Sequence, residues 1–310
     1  MPAPQRQTGS RGWGNENGAA LAFIAPYLLL FLAFLLIPSV ISLFVGLFKY
    51  DLFGGTLKFV GLKNFAKMFH DELFYKALLN TAIYNLFVIP ISVVLSLFLA
   101  VMVNQKLRGV SLLRGIFFLP AIVALVASGF AWRWMLGVEG GWINYYLSFL
   151  GITPHAWLND QNTALGTIIA VAIWQSLAGK MIIFLGSLKA VPEELYDATR
   201  IDGASGPQAF FRVTLPLIRY TTFFVVIITV IDEVKVFAKA FILTVGGLST
   251  HFNILGGEPN YSTLTLVGYI YGIGFRFLDF GYGAAISIFM FAVMLAFTVL
   301  QFRYYRRSDT

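Results

Sequence analysis

Apolar residues run almost unbroken through six stretches of the chain, 19–47, 77–103, 110–135, 163–188, 217–243 and 281–302, and shorter polar segments divide them. As helices, all six are long enough to cross a hydrocarbon core of about 30 Å. The pattern predicts an all-α integral membrane protein with six transmembrane helices and both termini on one side. The first run exceeds the apolar core of a signal peptide and is expected to stay as a span. Pro26, Pro38, Pro90 and Pro120 fall inside spans, where neighbouring helices can satisfy the freed carbonyls. Residues 1–18 are polar and Gly-rich and read as a disordered cytoplasmic tail. One transmembrane domain is expected over 19–305 and a short C-terminal tail over 306–310.

One polar segment, 190–216, departs from simple loop chemistry. Pro192 suits the start of a helix, and Glu193 and Glu194 fall in its first turn, where negative charge complements the helix dipole. Asp202-Gly203 is a turn signal, because glycine accepts positive φ without steric cost. A second short helix is expected from Ser205–Pro207 toward Pro216. This helix–turn–helix is too polar to sit in lipid. In the 48–76 segment, Phe65, Met68, Phe69 and Leu73 form an amphipathic stripe that suits either an interfacial helix or a buried packing helix.

The run Glu194-Leu-Tyr-Asp197-Ala198-Thr199-Arg-Ile-Asp202-Gly203-Ala204, followed by Phe210 or Phe211 and by Leu215-Pro216, resembles the EAA loop of binding-protein-dependent ABC-importer permeases. The family's Glu-Ala-Ala core reads Asp197-Ala198-Thr199 here. Looser matches at Phe59–Phe65, Asn80-Thr81, Val236–Gly247, Thr263–Leu266 and Phe280–Ala285 are similar to carbohydrate importers of the maltose-permease type, whereas Leu248–Pro259 is longer than is usual there. The resemblance implies a permease subunit in the plasma (inner) membrane that moves a sugar or oligosaccharide by alternating access. It implies a homologous second permease, two ATP-binding subunits that hold ATP and Mg, and an extracytoplasmic solute-binding protein. Glu193, Glu194, Asp197, Ala198, Asp202, Gly203 and Ala204 would then couple the spans to the ATPase.

Composition supports the lipid setting. Of the 310 residues 58% are hydrophobic and only 12% charged, about half the charge of a soluble domain. The net charge of +7 is spread over short loops, which suits membrane orientation and anionic headgroups rather than nucleic acid. Assigning loops alternately places 12 Lys and Arg on the side of the termini and of 190–216, 7 on the other side and 3 within spans. The positive-inside rule therefore puts the termini and the helix–turn–helix in the cytoplasm.

The chain carries no engine of its own. It lacks a G-x-x-x-x-G-K-[ST] phosphate loop, an H-E-x-x-H pair and a G-x-S-x-G elbow. It has no cysteine, and its three histidines are far apart in sequence, so no metal site or catalytic residue is expected and no cofactor belongs to the chain. Charges inside spans cost about 3 kcal/mol each at the bilayer centre and therefore face a cavity or one another. Gln175 and Lys180 in the fourth run, and Asp232, Lys235, Phe237 and Lys239 in the fifth, are the candidates for the solute path. Asp232 and Lys235 are spaced to pair, and Trp174, Tyr84, Phe237 and Tyr271 could stack on sugar rings. Trp132 and Trp134 suit an interfacial belt. The alternative reading is an ion-coupled secondary transporter with a relay at Asp232–Lys235; a third is a membrane scaffold that carries nothing.

Overall fold

A computed structural model describes residues 13–51, 56–105, 109–245 and 255–307. The sequence's 1–12 and 308–310 tail residues, its loop cations Lys106 and Arg108, and most of the unusual Leu248–Pro259 segment lie outside the described residues. The first span consists of α1 (Trp13–Phe31), a π-helical stretch (Leu32–Leu36) and α2 (Ile37–Val45). A hairpin of β1 (Phe48–Asp51) and β2 (Thr56–Phe59) follows, in register Phe48 opposite Phe59. Next come α3 (Lys63–Met68), α4 (Glu72–Asn104), α5 (Val110–Ile122), α6 (Leu125–Met135), α7 (Trp142–Ser148) and α8 (Ala164–Lys189). The polar segment holds α9 (Glu193–Ile201), α10 (Gly206–Ala209), a π-helical stretch (Phe210–Thr214) and α11 (Leu215–Leu217). The chain ends with α12 (Arg219–Val234), α13 (Ala238–Val245), α14 (Leu266–Tyr271), a π-helical stretch (Gly272–Arg276) and α15 (Phe280–Arg307).

Among the described residues four helices are long and apolar enough to cross a membrane: Gly18–Val45, Glu72–Asn104, Ala164–Lys189 and Phe280–Tyr304. Two bent pairs raise the count to as many as six if each is one span. Val110–Ile122 meets Leu125–Met135 at 102°, and Gly206–Leu217 meets Arg219–Val234 at 71°. The third expected span is thus broken at Val123–Ala124, whose backbone is extended, with ψ 129° and 136°. The fifth is broken as well: α12 stops at Val234, and the helix resumes at Ala238. An unbroken apolar run does not register such breaks, because lipid and a neighbouring helix reward the same side chains.

The central helix, α4, carries three stacked cores along its length. Phe74 and Ala77 pack with Met68, Tyr269, Tyr282 and Ile286. Tyr84 and Val88 pack with Ile168, Ala172 and Val236. Val93, Ala100 and Val103 pack with Met181, Phe184, Leu188 and Ile218. Fully buried Ser92, Ser96 and Ala100 let α8 approach α4 closely, as small residues do between helices in lipid, and Ser96 Oγ donates to Leu177 O at 3.2 Å.

The segments expected outside the spans on one side meet at one end of the molecule. Asn80 Nδ2 donates to Tyr261 O and Leu264 O at 2.9 and 3.0 Å, and Asn260 Nδ2 donates to Gln161 Oε1 at 3.1 Å. Asp71 caps α4 through Oδ1, which accepts from Leu73 N at 2.9 Å, while its Oδ2 accepts from both the Tyr269 and Tyr282 hydroxyls. One carboxylate thus ties α4, α14 and α15 together. Of the amphipathic stripe, only 63–68 is helical before α4 begins; Met68 is fully buried, so α3 is a packing helix. The β-hairpin was not anticipated, although Gly54-Gly55 between two short runs rich in aromatic and β-branched residues is a hairpin signal.

Candidate functional site

The first candidate surface is the helix–turn–helix at the opposite end. α9 begins after Pro192, with Glu193 and Glu194 in its first turn. It ends in a Schellman motif: Ala204 N donates to Thr199 O at 2.9 Å and Gly203 N to Arg200 O at 3.1 Å. That closure needs a left-handed residue after the last helical turns, and Gly203 supplies it with φ +72°. Ser205 then opens α10, its N–H bound by Gln208 Oε1 at 2.8 Å. Tyr196 Oη and Thr214 Oγ1 are 3.0 Å apart and join the two helices. A cavity of about 670 Å³ lies between this unit and the adjoining ends of α4 and α8, lined among others by Asn104, Leu188, Tyr196 and Phe210. No residue of α9 is buried. Glu193, Glu194, Asp197, Ala198, Asp202 and Gly203 are exposed and Ala204 is half-buried. Asp197 pairs with Arg200 at 2.9 Å, so this acid is partly engaged within its own helix.

The second candidate is a polar cluster inside the spans. Its centre is Glu233, which is only 3% exposed. Tyr84 Oη of α4 donates to Glu233 Oε2 at 2.7 Å. Lys239 Nζ donates to both carboxylate oxygens, at 3.1 and 3.0 Å, and Lys180 Nζ of α8 lies 3.9 Å away. Lys180 also donates to Ser176 O at 3.3 Å. Farther along α8, Gln175 Nε2 donates to Ser128 Oγ of α6 at 2.6 Å, and Trp174 meets Trp132 edge-on at 5.2 Å. Phe237, in the break between α12 and α13, lies 4.9 Å from Tyr271 between ring centroids.

The structure brings Lys180, Lys239, Phe237 and Gln175 to this region but rearranges the expected pairing. Asp232 and Lys235 are exposed and make no ion pair with each other. The acid that pairs is Glu233, which sequence spacing passed over. The helix break explains this: with 235–237 non-helical, Lys239 folds back onto Glu233 instead of following Lys235 around one helix. Tyr84 is fully buried and serves as a hydrogen-bond donor to Glu233 rather than as an open stacking face. Trp132 packs against the core, while Trp134 is exposed. A close approach sets how α6 lies on α13: a Cβ on Gly129 of α6 would stand 2.5 Å from Ile242 Cγ2 of α13. Among the described residues no group of three or more His, Cys, Asp or Glu could hold a metal.

No protein-family model matches the chain. Whole-length relatives do. The arabinooligosaccharides transport system permease protein AraP of Bacillus subtilis is 31% identical over 306 residues, 98% of this chain and 94% of its own. The probable ABC transporter permease protein YesP of the same organism is 34% identical over 297 residues, covering 95% and 92%. The sn-glycerol-3-phosphate transport system permease protein UgpA of Yersinia enterocolitica is 32% identical over 287 residues, covering 92% and 93%. A crystal structure of a bacterial ABC transporter involved in the import of the acidic polysaccharide alginate contains a chain of the same fold, with TM-score 0.79 and 23% identity over 94% of this chain and 96% of that one. A second alginate transporter structure, in complex with an alginate pentasaccharide-bound periplasmic protein, gives TM-score 0.78 at 22% identity over 96% and 98%. The chain belongs to the permease family of ABC transporters for sugars.

Proposed function

We propose that this chain is one of two homologous permease subunits that form the path of an ATP-driven carbohydrate importer in the plasma (inner) membrane. The observation that carries the coupling is α9, a helix fixed at both ends that buries none of its nine residues in this chain. A rigid, exposed, acidic helix beside a cavity is suited to seat in a groove of an ATP-binding subunit, which would hold the ATP and Mg. With the basic loops on its side, α9 faces the cytoplasm, as do the termini. A second permease is supported by the first span, in which no residue from Gly18 to Val45 is buried. The relatives' arabinooligosaccharide and glycerol-phosphate substrates, and the sugar-loaded periplasmic protein of the fold neighbour, favour a carbohydrate delivered by an extracytoplasmic binding protein.

In this mechanism ATP closes the ATPase dimer, α9 moves with it, and the bent spans rock the path open to the outside. Asp232 and Lys235, exposed in the single chain, would face that path, since facing acyl chains would cost about 3 kcal/mol each. Phe237 and Tyr271 offer aromatic faces beside it, with Gln175, Lys180 and Lys239 as hydrogen-bonding groups. The test is uptake by the complete transporter in proteoliposomes. Solute should accumulate with ATP on the α9 side and should not accumulate on a proton or sodium gradient alone. Uptake by the isolated chain on such a gradient without ATP would establish the ion-coupled reading instead, and no accumulation under any condition would leave only a scaffold.

A further inference from the structure

Resting on the permease reading, we infer that the transported carbohydrate is anionic, and that its carboxylate or phosphate is held in passage by Arg133, Lys180 and Lys239. The charge count within the α6, α8, α12 and α13 region comes first. Leaving out Lys189 and Arg219 at the helix ends beside the helix–turn–helix, Arg133, Lys180, Lys235 and Lys239 stand there against two carboxylates, Asp232 and Glu233. A cluster serving only to hold helices together would be cheapest with charges paired one to one, because each unmatched charge within a span is costly.

The pairing is not one to one. Glu233 is shared by Lys239 and Lys180, and Tyr84 already occupies Oε2 as a donor. The other bond of Lys180 goes to a neutral carbonyl, Ser176 O. Arg133 is the sharper case. Its Nη1 is buried with no hydrogen-bond partner, and no carboxylate lies within ion-pair distance of it among the described residues. Gln175 Oε1 is likewise buried without a donor. A buried guanidinium nitrogen with no acceptor loses its hydration without compensation, so this arrangement is suited to an acceptor that arrives with the solute.

The groups beside these cations suit a sugar acid or sugar phosphate. Ser128 and Gln175 touch, tying α6 to α8. Arg133 lies five residues on from Ser128, about 7.5 Å along α6, and Lys180 five residues on from Gln175, about 7.5 Å along α8. Trp132, next to Arg133 in the chain, and Trp174, next to Gln175, meet edge to face at 5.2 Å. Aromatic faces take the apolar sides of a pyranose, and the cations take charged oxygens, with arginine able to do so bidentately.

The experiment uses the complete transporter in proteoliposomes with ATP and three labelled probes of similar size: a uronic-acid oligosaccharide, a sugar phosphate and a neutral oligosaccharide. Uptake of the uronate or of the phosphate should exceed that of the neutral probe, and which of the two is carried identifies the anionic group. Arg133→Gln, which removes no hydrogen bond or ion pair of the described residues, should lower uptake of that anionic probe about tenfold. Lys239→Gln should do the same, its stability checked by thermal melting. Uptake of the neutral probe alone, unchanged in Arg133→Gln, overturns the anionic assignment and leaves the permease reading standing. ATP-dependent uptake of no probe overturns both.

Discussion

Glu233→Leu is expected to destabilise the protein by about 3–5 kcal/mol, the cost of removing one partner from a buried ion pair. The carboxylate is 3% exposed and touches Lys239, Lys180 and Tyr84. Leucine would leave two ammonium groups and a phenol hydroxyl facing an apolar side chain inside the bundle. Glu233→Gln keeps an acceptor for Tyr84 and is expected to lose less, with the difference between the two variants measuring the hydrogen bond separately from the charge. Thermal unfolding in detergent or nanodiscs checks this. A Glu233→Leu protein as stable as the parent would mean that the lysines find other partners and that the carboxylate is not the centre of the cluster.

Gly203→Val is expected to uncouple transport while the protein still inserts. At φ +72° a β-branched residue is strained by about 1–2 kcal/mol or more. No atom lies within 4 Å of where its Cβ would stand, so the penalty is conformational rather than steric crowding from neighbours. The strain is relieved by undoing the bonds from Ala204 N to Thr199 O and from Gly203 N to Arg200 O, which frees α9 from its angle. Solute-stimulated ATPase activity should fall about tenfold or more with normal amounts of protein in the membrane. Gly203→Asn, which tolerates the left-handed region, should retain most of it. Full activity in Gly203→Val would show that the turn does not set the lever.

The helix–turn–helix was legible in the sequence because its signals are local. Two glutamates following Pro192, an Asp-Gly stop and a helix start at Ser205–Pro207 each act within one turn of chain, and the folded segment has them where spacing puts them. The buried cluster was legible only in part. Lys180, Lys239 and Gln175 stood out as polar residues within apolar runs. Glu233 did not, because the partner of a buried charge is chosen by tertiary geometry, here by the break at 235–237 and by α4 supplying Tyr84 from 149 residues away. Arg133 counted in the sequence among the seven cations outside the spans, on the side opposite the termini, since nothing in the order of residues tells of the 102° bend that turns α6. The exposed first span reads in sequence like any other span, and its lack of cover emerges only once the remaining helices are packed.

The central claim, that α9 is a lever seated on a cytosolic ATPase, is tested most directly by site-specific cross-linking. The chain has no cysteine, so Ala198→Cys places a single thiol on the exposed face of α9. In inside-out membrane vesicles carrying the whole transporter, that thiol should cross-link to an ATP-hydrolysing subunit, with a yield that changes when ATP is bound. A thiol modified only from the extracytoplasmic side, or one that forms no adduct with a nucleotide-hydrolysing protein, would contradict the account.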